Sequence, residues 1–255
     1  AYAKEVANKM APELDWEKPD LRTLLPGTGE IAHAAWKKAN PTNYYVMREE
    51  AEALVEEKKW PEAKVVLEKL VKAYPGHTGS DSSYWMLAAA HRALGETNQE
   101  RQVLSALAER DDAAPDAYLR LMELASEAQD WPDLLRNAQR YLAVNPLVPL
   151  PYRYLAQASE AQSATKPAIE AYRALLHLDP TNPAEVHFRL GRQLHALGDP
   201  SAKRHVLQAL EEAPRYKEAI KLLLAMSKEP PKENAPIETP PVQPGPATTL
   251  PGAAK

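Results

Sequence analysis

The span LLHLDPTNPAEVHFRLG, residues 175–191, gathers His177, Asp179, Glu185 and His187, four side chains able to ligate a metal ion or move a proton. Catalysis asks for tighter patterns than this. No HExxH run sets two histidines on one helix face with a carboxylate between them. A GxSxG nucleophile elbow and a glycine-rich phosphate loop are also missing. His187 and His195 share a helical stretch, but 195 − 187 = 8 residues span about 12 Å of rise, too far for one ion. The sequence has no cysteine, so disulfides, thiolate zinc sites and a cysteine nucleophile are excluded. Neighbouring carboxylates such as Asp111–Asp112, Glu49–Glu50 and Glu211–Glu212 have the distribution of a solvated helical face. The residues therefore predict no catalytic site, no cofactor and no metal, and 175–191 reads as a joint between two helices.

Ala and Leu dominate the chain and β-branched residues are sparse, which favours helix because unbranched side chains lose little rotamer freedom there. A net charge of −4 offers no basic footprint for phosphate backbones, so nucleic acid is not an expected partner. No apolar run is long enough to span a bilayer. The lack of cysteine slightly favours a periplasmic or secreted location over the cytoplasm. The start at Ala1 without an apolar signal segment is expected of a mature form or a piece of something larger.

What positions the polar residues is a repeat. YLAVNP ends at Pro146 and LLHLDP at Pro180, 180 − 146 = 34 residues apart; Tyr84, Tyr118 and Tyr152 follow at the same interval. Each unit reads as two amphipathic helices, with Tyr152, Leu155, Ala156 and Ala158 on one face and Ile169, Tyr172, Leu175 and Leu176 on the next. Small residues (Ala88, Ala156, Ala168) sit where paired helices must approach. ALGE at 93–96 and ALGD at 196–199 supply a glycine after a first helix, and NP, DP and AP close the second helices.

Over residues 44–214 this pattern resembles the tetratricopeptide repeat. The unit from 149 carries Tyr152, Leu155, Ala156, Ala168, Tyr172 and Pro180 and lacks only the turn glycine. The unit from 184 carries His187, Leu190, Gly191 and Gly198, then comes back into register at Ala202 and Pro214 after losing one residue. The unit from 44 matches at Ala51, Ala63, Leu67 and Pro75. That from 115 has Leu134 at a small position, and that from 81 departs most, with Glu100 where Ala is expected. The resemblance implies an all-α fold, a right-handed α-solenoid of about five stacked helix-turn-helix units starting near 44, 81, 115, 149 and 184. Residues 1–43 form an irregular helical cap or linker, 215–228 a capping helix, and 229–255 a proline-rich tail unable to form a core.

The resemblance also implies that the first helix of each unit lines a concave groove binding a protein or peptide. The groove positions are Arg48, Trp85, Arg92, Leu119, Arg120, Glu123, Arg153, Tyr154, Gln157, Phe188, Arg189, Arg192 and His195. Aromatics interleaved with arginines combine apolar area with forked donors. The lysine–asparagine clamp of chaperone-binding members is not reproduced, because Arg48 is followed by Glu52 where that clamp wants Asn. The leading expectation is a non-enzymatic interaction scaffold. Two alternatives stand beside it: the repeat region of a larger metallopeptidase, because GDPSAKRHVLQALEEAPRYKEAIKLLLAM resembles the C-terminal repeats of bacterial gluzincin-type proteins, and a scaffold subunit of a bacterial envelope complex. Oligomeric state is not encoded in the pattern.

Overall fold

The computed structural model describes residues 9, 12, 14–18, 28–111 and 114–228. These form twelve α-helices and no strand: α1 (Thr28–Ala39), α2 (Tyr44–Glu56), α3 (Trp60–Ala73), α4 (Ser83–Ala93), α5 (Thr97–Ala108), α6 (Pro115–Glu127), α7 (Trp131–Val144), α8 (Pro149–Ala161), α9 (Thr165–His177), α10 (Pro183–Ala196), α11 (Ala202–Glu212) and α12 (Lys217–Lys228). The proline-rich tail over 229–255 lies outside the described residues, as does most of 1–27 within the expected cap or linker.

Each helix from α2 onward packs on its neighbours in sequence, so the chain is an α-solenoid whose core is a continuous seam. The small positions fill the closest approaches: Ala51, Ala63, Ala88, Ala156 and Ala168 are buried between paired helices. At Gly191 the approach is tightest. A Cβ there would stand 2.8 Å from Val206 Cγ2 and 3.1 Å from the carbonyl oxygen of Ala202. The third unit fills the same space with Met122 and Leu134, both fully buried.

The tyrosines of the 34-residue interval each do the same work. Tyr84, Tyr118 and Tyr152 donate their hydroxyls to the carbonyls of Pro75, Ala108 and Pro146, at 3.2, 2.9 and 3.1 Å. Each ring thus joins a first helix to the end of the preceding unit. The turn within every unit passes through one left-handed residue: Lys58, Gly95, Gln129, Ser163 and Gly198, with φ between 55° and 71°. Only two of the five are glycine, so the turn geometry outlasts the residue type that suits it.

The N-terminal segment closes the first unit. Trp16 stacks on Tyr44 at 4.5 Å and meets Tyr74 edge-on, while buried Asn43 caps α2 and donates to the Asp15 carboxylate and the Glu17 carbonyl. At the other end α12 covers α10 and α11.

Candidate functional site

The first helices α2, α4, α6, α8, α10 and α12 succeed one another along one wall. Glu100 of α5 joins α4 to α6, and Glu160 of α8 joins that helix to α10. A cavity opens between α4 and α6 and another between α8 and α10, referred to below as gaps.

The α4/α6 gap encloses about 370 Å³ and is lined by Trp85, Ala88, Ala89, Arg92, Asp116, Leu119, Arg120 and Glu123. Five of the expected groove residues therefore meet in one place. Its two guanidinium groups are already committed. Glu100 on α5, the departure from the repeat pattern, is buried, and accepts from Arg92 Nε at 2.7 Å and Arg120 Nε at 2.8 Å. Burial alone would raise the Glu100 pKa, but the Arg120 and Arg92 hydrogen bonds outweigh it and hold the carboxyl below its ordinary range. Arg120 also donates to Glu123 at 2.9 Å. Asp116, exposed at the start of α6, makes no hydrogen bond or ion pair among the described residues.

The α8/α10 gap is larger, about 490 Å³, and deeper, because Tyr172 and Leu175 of α9 form its floor. Val148, Pro149, Leu150 and Val186 give it an apolar side, and Arg153, Gln157, Glu185 and Arg189 a polar one. Arg189 is held by Glu185 at 2.8 Å and Glu160 at 2.9 Å. Arg153 lines the cavity, is exposed, and makes no hydrogen bond or ion pair among the described residues.

Glu160 is the organising residue that sequence reasoning missed. It accepts from Arg189, from Arg192 at 2.8 Å and from Gln193 at 2.9 Å, bracing α8 against α10 behind the gap. Burial would raise its pKa, but Gln193 and Arg192 lower it on balance. Nearby, burial and the Glu160 charge push the Tyr172 hydroxyl well above its usual pKa. The available signal was positional: Glu160 stands in its repeat where Arg92 stands in another.

The remaining expected groove residues fall outside both gaps. Arg48 is spent on Glu52 and Asp81, each at 2.8 Å, tying the first unit to the second. Tyr154 is half-buried against the core, and Arg192 and His195 lie beyond the α8/α10 cavity. Phe188 corrects the expectation that it faces an open groove. It is buried, with its ring 4.9 Å from that of Tyr216, and packs beneath α12 with Leu222, Leu223 and Met226. The terminal helix occupies the space that the next first helix would take and so covers that position.

The four polar residues of 175–191 part company. His177 is exposed in the last turn of α9, and Asp179 takes the left-handed conformation. Glu185 belongs to the α8/α10 gap. His187 pairs with His205 of α11, Nδ1 to Nδ1 at 3.2 Å, with the rings stacked.

Comparison with known proteins agrees with the helical-repeat fold. The family model described as tetratricopeptide repeat matches residues 46–77. No curated protein matches the sequence. Among solved structures, YrrB, described as a TPR protein with an unusual peptide-binding site, superposes with a TM-score of 0.54 at 12% identity, over 74% of this chain and 96% of its own. MamA superposes with a TM-score of 0.51 at 18% identity, over 68% of this chain and 95% of its own. The Naa15/Naa10 complex bound to HypK-THB contains a chain of which 30% matches 78% of this one, with a TM-score of 0.60 and 14% identity. At these identities the likeness is one of fold.

Proposed function

We propose that this tetratricopeptide-repeat solenoid is a non-enzymatic scaffold that holds a segment of a partner protein along its wall of first helices. The observation that carries the reading is the α8/α10 gap, where the unneutralised Arg153 stands beside the apolar Val148, Pro149 and Leu150 over a floor of Tyr172 and Leu175. A concave site with an apolar lining and few oriented polar groups is the usual form of a ligand pocket. A guanidinium kept out of internal ion pairs is available to a carboxylate from outside. Trp85 gives the second gap an aromatic anchor of the type that dominates interface energetics. The peptide-binding site named for YrrB supports the same use of this architecture.

The test is affinity capture from the native source followed by mass spectrometry, with Trp85→Ala and Arg153→Ala as comparison baits. Both variants are expected to keep the helical circular-dichroism spectrum and to lose the partner recovered by the parent protein. Recovery of the same partner by both variants would remove the groove from the account.

A further inference from the structure

The two gaps share four repeat positions, with Arg153, Gln157, Glu185 and Arg189 in one where Trp85, Ala89, Asp116 and Arg120 stand in the other, yet they expose opposite charge. In the α8/α10 gap the charged group without a partner among the described residues is Arg153, because Arg189 is neutralised by Glu185 and Glu160. In the α4/α6 gap it is Asp116, because Arg92 and Arg120 are drawn back onto buried Glu100. Each free charge has apolar neighbours in its own cavity: Trp85 and Leu119 with Asp116, Val148 and Leu150 with Arg153. Between them Gln157 of α8 donates to Ser126 of α6 at 3.4 Å, so the wall offers two separated anchoring points.

Resting on the groove reading above, we infer that the ligand is a bipartite extended segment: a basic residue beside an apolar one for the α4/α6 gap, and an acidic residue beside an apolar one for the α8/α10 gap. The spacing follows from helix packing. Packed helices stand about 8–10 Å apart, so two repeat steps put the gap centres at least about 16–20 Å from each other. An extended chain rises about 3.3 Å per residue, which sets the two anchors about six residues apart or more. A segment with both anchors of one sign meets a like charge at one end, and like-charge juxtaposition disfavours the wrong partner more strongly than a missing contact does.

Display selection of random twelve-residue peptides on the immobilised full chain tests this, followed by fluorescence anisotropy of the enriched peptides. The enriched sequences should pair a Lys or Arg with an Asp or Glu at about six residues' separation or more, each flanked by an apolar residue. Arg153→Glu should weaken such a peptide at least about tenfold, and changing the peptide's acidic residue to Lys should restore binding to that variant. Asp116→Arg should act in the same way on the basic anchor. Enriched peptides without the opposite-charge pair, or affinities unmoved by both reversals, overturn the bipartite ligand while leaving the groove in place. Failure to enrich any peptide overturns both.

Discussion

Glu100 holds a position that the repeat pattern reserves for a small apolar residue, and its surroundings give the reason it is tolerated there. Two arginines from the flanking first helices converge on its buried carboxylate. Glu100→Gln keeps the shape and removes the charge, and is expected to cost about 1–2 kcal/mol in chemical denaturation. Because the folded pKa lies below the ordinary value of 4.5, the stabilisation is present above that pH and is lost as pH falls through the folded pKa. The acid limb of the parent's stability profile should therefore be shallower in Glu100→Gln. Gly191 makes the opposite kind of demand. Val206 is fully buried and the α11 backbone stands within 3.2 Å of any Cβ placed there, so the neighbours have nowhere to yield. Gly191→Ala should destabilise by about 1–3 kcal/mol, read from the denaturation midpoint. The place of Gly191 was visible in the sequence because the repeat frame puts a small residue there. The partners of Glu100 were not, since Arg120 is 20 residues away and meets it only once α5 and α6 pack.

At the level of elements, the turns separate geometry from composition. Lys58, Gln129 and Ser163 hold the left-handed conformation that Gly95 and Gly198 hold at the same place in their units. A side chain pays about 1–2 kcal/mol there, partly offset by the greater unfolded-state freedom of glycine. Each of Lys58→Gly, Gln129→Gly and Ser163→Gly should raise the stability by about 0.5–1 kcal/mol; an unchanged melting temperature in all three would contradict the assignment of those turns. The α10/α11 pair carries a pH dependence of its own. His187 and His205 touch through Nδ1, and burial lowers both pKa values. Glu212 and Glu211 oppose the shift at His187, while Arg204 and Arg173 add to it at His205, together with His187 itself. The unfolded state binds these protons more readily, so this contribution is complete above about pH 6.5 and is lost as pH falls below it. Thermal melts at about pH 7.5 and about pH 5 should show a drop in the parent that His205→Gln reduces. The helices themselves were legible from the 34-residue interval and the proline stops. The capping role of Trp16 was not, because a tryptophan in an irregular segment carries no periodicity until Tyr44 and Tyr74 are brought beside it.

Across the whole molecule, the repeats share one surface, and two cavities open along it. The two openings collect Trp85, Arg92, Leu119, Arg120, Glu123, Arg153, Gln157 and Arg189 from the set that the repeat positions single out. The sequence could mark these residues as facing one wall, because a helical repeat keeps its register. It could not mark which were already neutralised, since Glu160 and Glu100 act across unit boundaries, nor that α12 would bury Phe188. The central claim, that this wall is where a partner docks, is tested most directly by placing a photo-crosslinking residue at Leu150, on the rim of the α8/α10 gap, and in separate proteins at Val65 and Leu207, exposed on the second helices α3 and α11. Irradiation in the presence of the captured partner should give the adduct from position 150 and none from 65 or 207. Adducts of equal yield from the second-helix positions, or none from position 150, would contradict it.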